Sequence, residues 1–128
     1  ASELRVNTLK DASGNNSIAT SFVAGGSAKA WCKFGNDAQP DDSLNISSGT
    51  DVGTGQWRFA KTNAMSTTNY VVVGISGNVI DNFNTGHNSN ALESTTNHTQ
   101  SKYNISGTAF TDFNSGGYGM HSAHGDLA

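Results

Sequence analysis

A chain of 128 residues fits one domain and leaves little room for two. Hydrophobic residues make up 34% and charged residues 13%, with seven basic against ten acidic side chains and a net charge of −3. The scattered basic residues argue against a nucleic-acid-binding stripe, the single Cys32 excludes an intrachain disulfide, and no apolar run is long enough to cross a membrane as a helix.

Asn, Ser, Thr and Gly fill the space left by apolar and charged residues. Low charge separates this mixture from a disordered chain, and Thr, Val and aromatics alternating with Gly and Asn are the materials of strands and corners. A core this thin calls for burial against neighbouring chains.

Residues 1–27 carry few large apolar side chains: Leu4, Val6, Ile18, Phe22 and Val23, around a turn at Asp11 to Asn16. They are expected to form a hairpin or an extended stalk, an oligomerisation segment that ends at Gly25-Gly26-Ser27. Residues 28–128 then make the head domain. In the run 28–34, Ala28, Ala30, Cys32 and Phe34 share one strand face, and Lys29, Trp31 and Lys33 share the other. Gly35 to Asp42 is a loop. Leu44 and Ile46 are expected on one strand face, Gly49 to Gly55 in a turn, and Trp57 and Phe59 together on the next inward face. The run Tyr70 to Ile75 is apolar on both faces, which predicts a central, fully buried strand with Val71, Val73 and Ile75 packed inward. Val79, Ile80 and Phe83 continue the pattern. Residues 84–100 are almost wholly polar and read as a long surface loop or weak hairpin, the kind of segment that carries binding function. Tyr103 and Ile105 alternate in a further strand, and the glycine- and histidine-rich tail reads as solvated.

Three elements in this order carry a resemblance. They are Ala28-Lys29-Ala30-Trp31 with Phe34, the run Leu44-Asn45-Ile46-Ser47-Ser48 feeding a Gly-Thr-Gly turn, and the loop from Asn63-Ala64-Met65 to Asn69-Tyr70. Together they resemble the C-terminal domain of tail-fibre proteins from marine bacteriophages, over less than half of the chain. The stretch beyond about Gly77 departs from the pattern. The resemblance implies a homotrimeric virion component that joins other virion proteins and contacts a host-surface glycan or protein, and the lack of a visible signal peptide fits synthesis in the host cytoplasm. The residues themselves lead to an all-β fold, a β-sandwich of short antiparallel strands behind the N-terminal stalk.

Chemistry-bearing groups are few. Asp37, Asp41 and Asp42 share a loop, but their spacing lacks the glycine and terminal glutamate of a calcium-binding loop, so solvation is expected. His121 and His124, three apart near Asp126, share a side of a helical turn but not of a strand. Some coliphage fibre tips resemble this arrangement, although their paired histidines have one intervening residue and these have two. No metal or cofactor is expected. Cys32, flanked by alanines, reads as an inert buried thiol. The Asn-X-Ser/Thr triplets at Asn15, Asn45, Asn97 and Asn104 arise naturally in such a composition. A carboxylate pair from Glu93, Asp81 and Asp112 is the nearest thing to a glycosidase set, and a polysaccharide-degrading enzyme ranks behind two non-catalytic readings. One is host attachment. The other is a purely structural capsid fibre, decoration or adaptor protein. For attachment, the expected contacts are His87, Asn90, His98 and Gln100 in the polar loop, joined by Tyr118 and His121 from the tail.

Overall fold

The computed structural model describes residues 2–77, 84–87, 94–103, 109–113 and 116–128. Two antiparallel four-stranded sheets face each other across one core. Strands β3 (Ala28–Phe34), β4 (Pro40–Leu44), β7 (Val71–Gly77) and β10 (Tyr118–His124) form the first sheet in the order β4-β3-β10-β7. Strands β5 (Ile46–Gly53), β6 (Gln56–Lys61), β8 (Asn84–His87) and β9 (Asn97–Tyr103) form the second in the order β5-β6-β9-β8. The all-β, sandwich-like expectation is met.

Ahead of the sandwich, β1 (Thr8–Lys10) and β2 (Ser17–Ala19) pair as a hairpin, followed by a short helix, α1 (Thr20–Gly26). The turn between the strands is set by Asp11. Its carboxylate accepts hydrogen bonds from the Ser13 hydroxyl (2.9 Å), the Asn15 amide (3.0 Å) and the Asn16 side chain (2.7 Å). These bonds hold the Asp11 carboxyl below its ordinary pKa. Helix α1 has no side-chain cap and buries none of its residues.

The alternation of β3 is as expected, with Ala30, Cys32 and Phe34 buried. Trp57 and Phe59 likewise point inward from β6. Phe34 is the hub of the core. Its ring centroid lies 4.5 Å from Phe59, 5.4 Å from Trp57 and 5.8 Å from Phe113. Trp57 and Phe113 stack almost parallel at 4.6 Å. Asn36 locks Phe113 in place by a reciprocal pair, donating to the Phe113 carbonyl and accepting from its amide, both at 2.8 Å. A second cluster, Ala30, Met65, Tyr70 and Ala123, closes the other end of the sandwich.

Several expectations are corrected. Leu44 and Ile46 do not share a strand. Asn45 sits between them with φ 56° and carries the chain from the first sheet to the second. Asparagine tolerates this left-handed conformation, and its side chain secures the corner. Nδ2 donates to the Lys29 carbonyl at 3.0 Å, and Oδ1 accepts from the Asn63 amide at 2.7 Å. Gly49 lies inside β5 and not in a turn. A Cβ there would stand 1.8 Å from the Ala38 carbonyl oxygen, so only glycine admits this close crossing. The turn itself is Thr54-Gly55, with Gly55 at φ 62°.

Strand β7 is an edge strand with the opposite register to that expected. Val71, Val73 and Ile75 are 61%, 53% and 60% exposed. The inward positions are Val72 and Gly74, because a Cβ at Gly74 would meet the Gln100 side chain at 2.4 Å. A long polar side chain from the facing sheet fills the space that a valine would need. Val79, Ile80 and Ile105 lie outside the described residues, as does Phe83.

Candidate functional site

The C-terminal tail, expected to be solvated, is the interior strand β10. It pairs with β3 on one side and β7 on the other. Alternation then separates the two histidines, with His121 on the inner face and His124 on the outer. His124 Nε2 lies 3.0 Å from the Ser122 hydroxyl and its Nδ1 lies 3.2 Å from the Gly26 carbonyl. Among the described residues, no three His, Cys, Asp or Glu side chains converge as metal ligands. The loop aspartates also turn to separate partners. Asp37 accepts from the Gln39 amide, Asp41 pairs with Lys33 at 3.3 Å and Asp42 accepts from the Ser43 amide.

Of the two expectations for the polar segment 84–100, the hairpin is met and the loop is not: its ends form β8 and β9, which pair antiparallel, and β9 is an interior strand of the second sheet. The expected contact residues therefore part company. His98, Gln100 and His121 are buried inside the sandwich, which corrects their assignment to an exposed surface. The reason is register: His98 stands opposite Phe59 and Gln100 opposite Trp57, so both share the inward face. His87 belongs to β8 and Asn90 lies outside the described residues. Glu93, Asp81 and Asn104 lie outside them too. Of the expected contacts whose side chains are described, Tyr118 remains on an outer face, half-buried, with Lys33 Nζ 4.8 Å from its ring centre.

Inside, His98 and His121 meet edge to face at 4.5 Å, bridging the sheets, with the Phe59 ring 4.6 Å from His121. Neither ring nitrogen of His121 finds a hydrogen-bond partner among the described residues. Burial, with Lys61 adding to it, pushes its pKa down to about 4, so the ring is neutral at physiological pH. Cys32 stands directly across from His121 on β3. This pairing is invisible in the sequence, where the two are far apart. It does not make a nucleophile. Burial, helped by Asp41 and Asp42, pushes the Cys32 thiol up to about 12, and His121 is too weak a base to take its proton.

At the rim, Lys61 Nζ donates to the Tyr70 hydroxyl at 3.0 Å, which in turn donates to the Asn97 carbonyl at 2.7 Å. The charge of a buried lysine is thereby spread into backbone dipoles. The glycosylation triplets at Asn45 and Asn97 use their amides internally. Asn45 Nδ2 donates to two carbonyls and Asn97 Nδ2 donates to the Thr96 hydroxyl at 3.1 Å.

The outward face of the first sheet is the feature that sequence reasoning missed. Trp31, Val73, Ile75, Met120 and Ser122 line a shallow, mostly apolar depression of about 600 Å³, with Lys33 and Asp42 at its border. Cross-strand pairing builds it: Met120 opposes Ile75 and Lys33, while Ser122 opposes Val73 and Trp31. The signal available in the sequence was Gly74, the one position in the valine run with no side chain to bury. A contiguous apolar patch marks an interaction surface more often than a scatter of single apolar residues does. No protein family, characterised protein or solved structure matches this chain.

Proposed function

We propose that this chain is a virion structural protein, a tail-fibre domain that assembles with copies of itself, as a homotrimer, and serves recognition of the host surface. The observation that carries the assembly half is the uncovered apolar face of the first sheet, with Val71, Val73 and Ile75 all more than half exposed. A face of that kind is covered in the working state of a protein, and repeated identical chains are the commonest way to cover it. The thin core and the unburied N-terminal helix point the same way. The attachment half rests on the resemblance of the segment 28–75 to phage tail fibres.

A second reading, a purely structural capsid fibre, decoration or adaptor protein, is favoured by one observation. Three of the six expected receptor contacts, His98, Gln100 and His121, are buried. Electron microscopy of particles labelled with antibody against residues 28–128 separates the two. Label at the ends of tail fibres supports attachment, label over the capsid supports the structural role, and unlabelled particles overturn both.

A further inference from the structure

Among the described residues, two apolar surfaces lack a cover. One is the outward face of the first sheet. The other is the N-terminal arm, residues 2–26, where Leu4, Val6, Leu9, Ile18, Phe22 and Val23 are all exposed, Phe22 to 73%. We propose that the two cover each other between copies, the arm of one chain lying across the outer sheet face of the next. This rests on the assembly half of the reading above and not on the attachment half.

Area supports the match. At these exposures the arm residues and the sheet-face residues each present on the order of 500 Å² of apolar surface, so a contact that covered both fully would remove about 1,000 Å², the lower limit for a specific interface. Neither surface alone meets that size without its complement. The arm is also poorly placed to cover its own face. Ser27 is the single residue between α1 and β3. The helix end is tied down where β3 begins, by Lys29 Nζ donating to the Ala24 carbonyl and to the Ser27 carbonyl and hydroxyl. His124, at the end of β10, lies against the Gly26 carbonyl from the other side. The arm thus leaves the sandwich at one end of the sheet, with its apolar residues in solvent.

A contact between two different patches either closes reciprocally between two chains or repeats from chain to chain, and the repeating form closes into a ring such as a trimer where the rotation allows. Because the two patches lie on separate parts of the chain, each can be disabled without touching the core. Phe22→Ser removes the arm's largest apolar side chain, and Val73→Lys places a charge in the middle of the face; both positions are exposed, so the fold persists.

The test uses the full chain. Sedimentation velocity is expected to show an oligomer for the parent and a loss of association by at least about 30-fold for each variant, as for interface anchors generally. A photo-reactive benzoylphenylalanine in place of Phe22, in a mixture of isotopically light and heavy chains, is expected to cross-link to peptides 71–77 or 118–124 of a different chain. A monomeric parent overturns both this inference and the assembly reading. An oligomer whose cross-links join arm to arm, or stay within one chain, overturns the inference alone. Retained association in the Val73→Lys variant does the same.

Discussion

Acid should unfold this protein through His121. The side chain is 4% exposed, wedged between Phe34, Phe59 and His98, with Lys61 adding positive potential and the Cys32 thiol across the strand pair. In the unfolded chain its imidazole takes a proton near pH 6.5, whereas in the fold it stays neutral down to about pH 4. Between those values the unfolded state holds one more proton, so stability falls as pH falls. The contribution is complete above about pH 6.5 and is lost by about pH 4, a change on the order of 3 kcal/mol, a large fraction of the margin of a small domain. Urea denaturation followed by tryptophan fluorescence, at steps between about pH 7 and pH 4, measures the slope. His121→Leu should flatten it, whatever its effect on absolute stability. An unchanged slope in that variant, or a parent whose stability is level across the window, would refute the reasoning.

Other outcomes follow from the packing. Gly49→Ala should cost at least about 3 kcal/mol or prevent folding, because the added methyl meets the Ala38 carbonyl and neither backbone can yield; thermal denaturation reads it. Phe59→Ala should cost about 3–5 kcal/mol in the same assay, whereas Val73→Ala should cost the isolated chain under about 1 kcal/mol, since its side chain is more than half exposed. The Cys32 thiol should resist a disulfide reagent at mildly alkaline pH in the folded protein and react once denaturant is added. Fast labelling without denaturant would contradict its burial.

The strands legible in the sequence were those whose inward residues are bulky and apolar. Cys32 with Phe34, and Trp57 with Phe59, announced β3 and β6 by simple alternation. The strands that escaped bury other kinds of residue. Strand β10 points Gly119, His121 and Ala123 inward, with the period-two pattern present but without its usual hydrophobic marker, and β9 is buried at every position from His98 to Lys102 although all five residues are polar or charged. These polar inward residues fit because the facing strands leave space for them. Gly74 makes room for Gln100. The same substitution of polar bulk for apolar bulk misled the register of β7. One of its faces carries Val71, Val73 and Ile75 and the other only Val72 beside Gly74, and bulk alone assigned the heavier one to the interior. The site suffered accordingly. A histidine or glutamine in a polar run reads as a loop residue, and only the facing sheet shows that it is buried.

The central claim is that this domain completes itself by association. Sedimentation equilibrium of the unmodified full chain across the micromolar range tests it most directly. The account predicts a discrete trimer, three times the chain mass, giving way to monomer only on dilution. A single monomeric species at every concentration, with Val71, Val73 and Ile75 still open to solvent, would contradict it.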